Sequence, residues 1–228
     1  MSTTTRRPQA EECTPEARVT KSLLGYGPLA GLVYVLGSVV DGLTRPGFDF
    51  TRDSWSVLSL GPRGWVHVAV LVLSGLMVLA AAVGVGRHIR SGPGRLGGWF
   101  LGAWGVLLVL AGVFPPDATG STTITPHGLV HLAAGGLGFV CLAVACFSLA
   151  RRFRASGRTG AGASIAAGVL VLLGFFAIAT GIVTSAIVLG FTATVLIGWL
   201  WLGWVTIRFY READAEGRAE AQRRSLAA

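Results

Sequence analysis

Charge is scarce in this chain. Only 13% of its 228 residues are Asp, Glu, Lys or Arg, about half the share of an average soluble domain. That excludes an ordinary water-soluble globule as the default class. Cysteine is scarce too. There are three, Cys13, Cys141 and Cys146, an odd count with two inside an apolar run. No disulfide framework follows from that, and Cys141 and Cys146 read as small buried apolar side chains. No repeat of solenoid period is visible, and the two halves of the chain do not match. The first twenty residues carry Arg6, Arg7, Glu11, Glu12, Glu16 and Arg18 with two prolines. They lack the apolar core of a signal peptide, so residues 1–21 are expected to form a disordered cytoplasmic tail. The glycine-rich stretches at 92–98 and 157–162 lack the pattern of a phosphate-binding loop.

What the chain has is apolar length. Hydrophobic residues make up 52% of it, and the mean hydropathy is +0.64. Six runs approach or exceed the length needed to cross a bilayer. They cover about 22–43, 65–86, 98–114, 127–150, 161–183 and 187–207. The expected fold is therefore all-α: a polytopic membrane bundle of six transmembrane helices over 22–207, followed by a cytoplasmic tail at 208–228. The 33 glycines fit helices packed closely through small residues. Trp199, Trp201 and Trp204 read as an interfacial belt at one end of the sixth run. Residues 44–64 are too polar to span. They mix Phe48, Phe50, Trp55, Leu58 and Leu60 with charges, as an interfacial segment does, and Thr51 or Asp53 is placed to cap a short helix there.

The net charge is +8. Nucleic acid is not the implied partner, because the basic residues lie between the apolar runs and not on one face. Lys and Arg instead divide 16 to three between the two sets of loops and tails, with only Arg45, Arg52 and Arg63 in the minority. The positive-inside rule then places both termini in the cytoplasm. Asp41, Ser56, Ser59, His67, Asp117, His127 and His131 all fall at the outer end. Of the four histidines, only His88 falls elsewhere, in a solvated cationic loop beside Arg87 and Arg90.

An ordered set of short motifs goes further. Gly-Leu-Thr-Arg-Pro-Gly-Phe-Asp at 42–49, Ser-Val-Leu-Ser-Leu-Gly at 56–61, Gly-Trp at 64–65, His-Gly-Leu-Val-His at 127–131 and Ala-Arg-Arg-Phe at 150–153 occur in that order. From about Leu23 to Trp204 the chain resembles the bacterial family known as Domain of Unknown Function 998. The resemblance implies a compact six-span protein of the cell membrane and brings no established activity. Against that family, this chain has His67 where Gln is typical and Val70-Leu71 where an Asn-Phe pair is usual. Its loop after Phe114 is also shorter.

The polar stretch from Phe114 to His131 is the first place to look for chemistry. His127 and His131, four apart, share a helix face about 6 Å apart along the axis. Gly135, Gly138, Leu142 and Ala145 continue that face, which therefore points into the bundle. At a helix start the dipole disfavours imidazolium, so the rings stay neutral. Neutral imidazoles at this spacing are good transition-metal ligands. His67 would be a third ligand, and Asp117 a catalytic or orienting carboxylate. Zinc is the metal such a set would take. The combination resembles the zinc-dependent alkaline ceramidase and adiponectin-receptor superfamily, whose members have seven spans and a different motif order. The competing reading is that these groups cap the helix and hold the 115–126 loop. Asp41 either pairs with Arg45, four residues on, or serves a proton or cation relay. Ser56 and Ser59 lack a base at a diagnostic spacing and suit capping or turns. Asp41, Ser59 and Trp65 are the candidate ligand contacts at the same end.

Three functions stay open at this point. One is a non-catalytic membrane protein whose outer polar pocket binds a membrane lipid or small solute. The second is a metal-dependent hydrolase of a lipid-like amide or ester, in which the metal polarises water. The third is a small proton-coupled transporter using Asp41, without the broken helices in matched halves that transporters often show.

Overall fold

The computed structural model describes residues 14–118 and 121–227. They form six helices, α1 (Pro15–Thr44), α2 (Gly64–His88), α3 (Arg95–Val113), α4 (Pro126–Ala155), α5 (Ala161–Ala179) and α6 (Ser185–Ala227), with one 3-10 helix at Trp55–Ser59. There is no strand among the described residues. All six helices are long and apolar enough to cross a membrane, so the chain is a multi-pass membrane protein. The shortest, α3 and α5 at 19 residues each, are about 28 Å long, close to the thickness of the hydrocarbon layer.

Each helix packs against the next in sequence, and α6 returns against α1 to close a ring, with α2 touching α6 inside it. Small residues make these approaches possible. A methyl group at Gly75 on α2 would sit 2.7 Å from the Gly105 carbonyl on α3, and one at Gly105 would sit 2.9 Å from the Gly75 carbonyl. The two backbones are in contact there, and dispersion between them replaces the hydrophobic drive that lipid does not supply. A methyl at Gly27 on α1 would lie 2.1 Å from the Thr206 hydroxyl oxygen on α6.

The start of α1 and the far part of α6 lie together, joined by an ion pair between Lys21 and Asp214. This terminal end also carries the α2–α3 and α4–α5 connections. The opposite end is closed by residues 45–63 and is called the cap end. Arg45 fastens the cap. Its guanidinium bonds the Asp41 carboxylate at 2.8 Å and the carbonyls of Leu58 and Leu60 at 2.8 Å each. Arg63 reaches Asp41 at 3.6 Å and the Thr44 carbonyl at 3.0 Å. Asp41 is thus a buried anchor, as its pairing with Arg45 predicts.

Several boundaries differ from expectation. Of the tail at 1–21, residues 1–13 lie outside the described residues, and the rest is helix from Pro15. Thr14 accepts from the Ala17 amide as N-cap, with Pro15 at the first helical position, a strong start signal. At the other end α6 does not stop near 207. It runs 43 residues, about 65 Å. Its last part is held by the pairs Arg208–Glu212, Arg218–Asp214 and Arg224–Glu220, all four apart. The short helix in the cap starts after Ser54 and not after Thr51 or Asp53. Those two belong to a turn in which Asp49 accepts from Thr51 and Asp53 accepts from the Asp49 amide.

Of the three α6 tryptophans expected to form a belt, Trp204 is exposed at 37% but the other two are not. Trp199 and Trp201 are each 4% exposed. Both lie on the sides of α6 that pack against its neighbours, whereas Leu200 between them is 72% exposed. Trp199 points to the bundle centre, and Trp201 donates to the Ser164 hydroxyl on α5 at 3.0 Å. Trp199 completes a column of rings down the bundle: Trp55 to Tyr34 at 5.8 Å, Tyr34 to Trp199 at 4.9 Å, Trp199 to Trp104 at 4.8 Å. His88 is not in a solvated loop either. It is the last residue of α2, its side chain is 4% exposed, and it bonds Glu212 at 3.3 Å while packing on Phe209 at 5.1 Å. The extension of α6 past the membrane run is what covers it.

Candidate functional site at the cap end

Five helices and the cap meet at one small cavity. From α1 comes the buried stripe Tyr34–Ser38–Asp41, with Tyr34 facing the cavity. From the cap come Trp55 and Ser56, and from α2 comes His67. The α4 stripe His131–Gly135–Phe139 forms the facing wall, and Phe191 and Thr192 of α6 complete it. The cavity has a volume of about 110 Å³.

His67 is fully buried, and neither ring nitrogen has a hydrogen-bond partner. The Trp55 indole N–H beside it, in a residue 7% exposed, is also unpartnered. Buried polar atoms are almost always satisfied, and leaving one unpaired costs about 1–3 kcal/mol. These three nitrogens are the strongest local departure from that rule on the cavity wall.

His131 shows a different chemistry. Its Nδ1 lies 2.9 Å from the Ala111 carbonyl and 3.0 Å from the Phe114 carbonyl. A carbonyl only accepts, so Nδ1 donates to both. In the neutral form with this tautomer, Nε2 would carry the lone pair. Ala111 is in the last turn of α3, where carbonyls have no helical partner. His131 therefore caps the C-terminus of α3 and presents its other nitrogen at the cavity.

The remaining predicted residues sit elsewhere. His127 is exposed, with its ring 5.9 Å from that of Phe114. The helical phase is right, but α3 has already ended at that height, so only Phe114 reaches it. Asp117 does not line the cavity. It accepts from the Thr125 amide at 3.1 Å and the Thr125 hydroxyl at 2.7 Å, and Thr125 in turn accepts from the Gly128 amide at 3.0 Å as N-cap of α4. This module explains the glycine in the His-Gly pair: a methyl at Gly128 would lie 2.0 Å from an Asp117 carboxylate oxygen. Ser59 is buried with an unpartnered hydroxyl but lies off the cavity, against Gly64. Trp65 is 70% exposed on the outside of the bundle. His67 and His131 thus share one cavity and His127 does not. Among the described residues no group of three or more His, Cys, Asp or Glu is arranged to hold a metal.

A family model described as a protein of unknown function (DUF998) matches residues 28–208, which contain the whole cavity and its cap. The chain belongs to the DUF998 family. No curated protein and no solved structure matches it significantly. In this DUF998 protein the cavity residues outside the sequence-based site candidates are Tyr34, Trp55, Phe139 and Phe191, together with Gly135, which the sequence places only on the inward face of α4. Tyr34 carried a signal, since it starts the polar stripe of α1. Gly135 and Phe139 continue His131 at steps of four. Trp55 did not, because an indole among charges also fits an interfacial anchor.

Proposed function

We propose that this DUF998 protein binds the polar head of a small amphiphile, a lipid or lipid-like solute, in the cap-end cavity. The observation that supports it is the set of unpartnered nitrogens on the cavity wall, both of His67 and that of Trp55. A ligand carbonyl, hydroxyl or phosphate oxygen accepts from the indole N–H and from whichever His67 nitrogen carries hydrogen. The other His67 nitrogen and Nε2 of His131 accept from a ligand hydroxyl or amine. At about 110 Å³ the cavity is below the 300–1,000 Å³ of sites that enclose a drug-sized ligand. It suits a head group, with the apolar part passing Phe139 and Phe191 between α4 and α6. The 16-to-3 division of Lys and Arg favours a cap end that faces outward from the cell membrane, with both termini in the cytoplasm.

Gly135 supplies the test. It lines the cavity, and a methyl there would meet nothing within 4 Å. Gly135→Leu therefore fills the space without disturbing helix packing. Mass spectrometry of extracts from purified protein should show an amphiphile retained by the natural chain and lost from Gly135→Leu and His67→Leu. Identical extracts from folded protein of all three forms would sink the proposal. Metal analysis of the same samples addresses the alternative occupant, a zinc ion on His67 and His131 completed by water. Stoichiometric zinc lost with His131→Ala would establish it.

A further inference from the structure

A second recess lies at the terminal end, on the outer surface between α2 and α3. Its volume is about 740 Å³. The floor is Gly86 and Gly102, and the sides are Val83, Trp99 and Val106. The only charged residues along it are Arg87, Arg90 and Arg95, all at its terminal rim and all exposed.

The recess is not a by-product of tight packing. A methyl at Gly86 would meet nothing within 4 Å, and one at Gly102 would meet only the Ala82 methyl, at 3.8 Å. The helices touch beneath the recess, where a methyl at Gly98 would lie 3.3–3.4 Å from the backbone of Gly86 and Ala82, and again at Gly75 and Gly105. Gly86 and Gly102 leave space on the outer side of that contact. Trp99, at 71% exposure, stands beside that space near the start of α3, a position that suits an indole at a membrane interface. Of the arginines, Arg87 is used internally, donating to the Thr20 hydroxyl at 3.2 Å. Arg90 donates to the Arg87 carbonyl at 3.4 Å. Neither Arg90 nor Arg95 forms an ion pair with a described acidic residue. The first turn of α3, which starts at this rim, holds no acidic residue and has no side-chain cap, so its dipole adds to the positive field.

We propose that this groove is a binding site for one anionic glycerophospholipid, an acyl chain lying over Gly86 and Gly102 and the phosphate meeting Arg90 and Arg95. An apolar trough ending in guanidinium groups that no described carboxylate pairs is complementary to that molecule. It is not complementary to a zwitterionic lipid, whose ammonium would face the same arginines, nor to a peptide segment of mixed charge. Arginine also holds phosphate oxygens bidentately.

The test uses full-length protein in nanodiscs of phosphatidylglycerol and phosphatidylcholine, with retained lipid counted by native mass spectrometry. The natural chain should retain one phosphatidylglycerol in preference to phosphatidylcholine. Two arginines, each supplying roughly a factor of five toward anionic lipid, predict that Arg90→Gln with Arg95→Gln lowers the preference about twenty-five-fold. Gly102→Leu should remove the retained lipid of either kind while the protein stays folded. An unchanged preference in the arginine double variant, or unchanged retention in Gly102→Leu, overturns the proposal. A water-soluble glycerol phosphate that displaces the lipid at equal concentration also overturns it, because the groove would then contribute nothing. Gly135→Leu at the cap end should leave this binding intact, which separates the two sites.

Discussion

Gly128→Ala should destabilise this protein, and removing Asp117 should reverse the sign of that effect. In the native arrangement the two positions compete for one volume. An alanine methyl at 128 would sit 2.0 Å from Asp117 Oδ2 and 2.3 Å from its Cγ, well inside van der Waals contact. The carboxylate must therefore move. Moving it breaks the bonds from the Thr125 amide and hydroxyl, 3.1 and 2.7 Å. Bonds to a charged group contribute about 1.5–3 kcal/mol each when well buried. Asp117 is only half-buried, so about 2–3 kcal/mol for the pair is the appropriate scale. Alanine returns up to about 1 kcal/mol through helix propensity. The single variant should lose about 1–2 kcal/mol. Asp117→Ala alone should lose about 2–3 kcal/mol by the same bonds. In an Asp117→Ala background the clash is gone, so Gly128→Ala should then stabilise by up to about 1 kcal/mol. Reversible unfolding in mixed micelles, read by tryptophan emission, gives all four corners of the cycle. Additive effects, with Gly128→Ala equally harmful in both backgrounds, would refute the assignment of Asp117 to α4 capping.

Asp41→Ala leaves Arg45 buried without its partner and should cost about 3–5 kcal/mol, with the 45–63 segment becoming sensitive to protease before the helices unfold. Replacing His131 by Ala strands the Ala111 and Phe114 carbonyls and should cost about 1–3 kcal/mol, whereas His127→Ala should cost below about 1 kcal/mol; thermal unfolding compares them, and equal losses would contradict the geometry. Hydrogen bonds from Thr51, and then the nearby Arg52, hold the Asp49 carboxyl below its usual range. A depressed carboxyl stabilises the folded cap fully above the ordinary carboxylate pKa and ceases to do so as pH falls through the lowered one. Thr51→Val should therefore raise the Asp49 titration measured by carboxyl-carbon NMR, and an unmoved titration would remove Thr51 from that role.

The spans were legible because a membrane helix needs only length and hydropathy, and both are read directly from Trp65–Gly86 or His127–Ala150. Helix ends were less so where a helix leaves the lipid. Past residue 207, α6 is held by ion pairs at a spacing of four, a pattern visible in the sequence but outside any hydropathy window. At Pro15 the Thr-Pro-Glu start signal was equally present. The site was half legible. The phase of His131, Gly135 and Gly138 on α4 follows from periodicity, but the height at which α3 stops does not, and that height separates His131 from His127. Nothing local distinguishes Trp199 packed on Tyr34 from a tryptophan at a membrane surface. That depends on which helices stand on either side.

The ring column from Trp55 to Trp104 has an optical consequence. Four chromophores with successive centres 4.8–5.8 Å apart exchange excitation far faster than they emit. Tyr34 should therefore be dark, draining into its indole neighbours. Trp55 at one end of the column borders the cavity, and Trp104 at the other lies deep among the helices. Any molecule that hydrogen-bonds or quenches the Trp55 indole consequently draws on light absorbed along the whole column, so the protein carries its own unlabelled reporter of what enters the cap end.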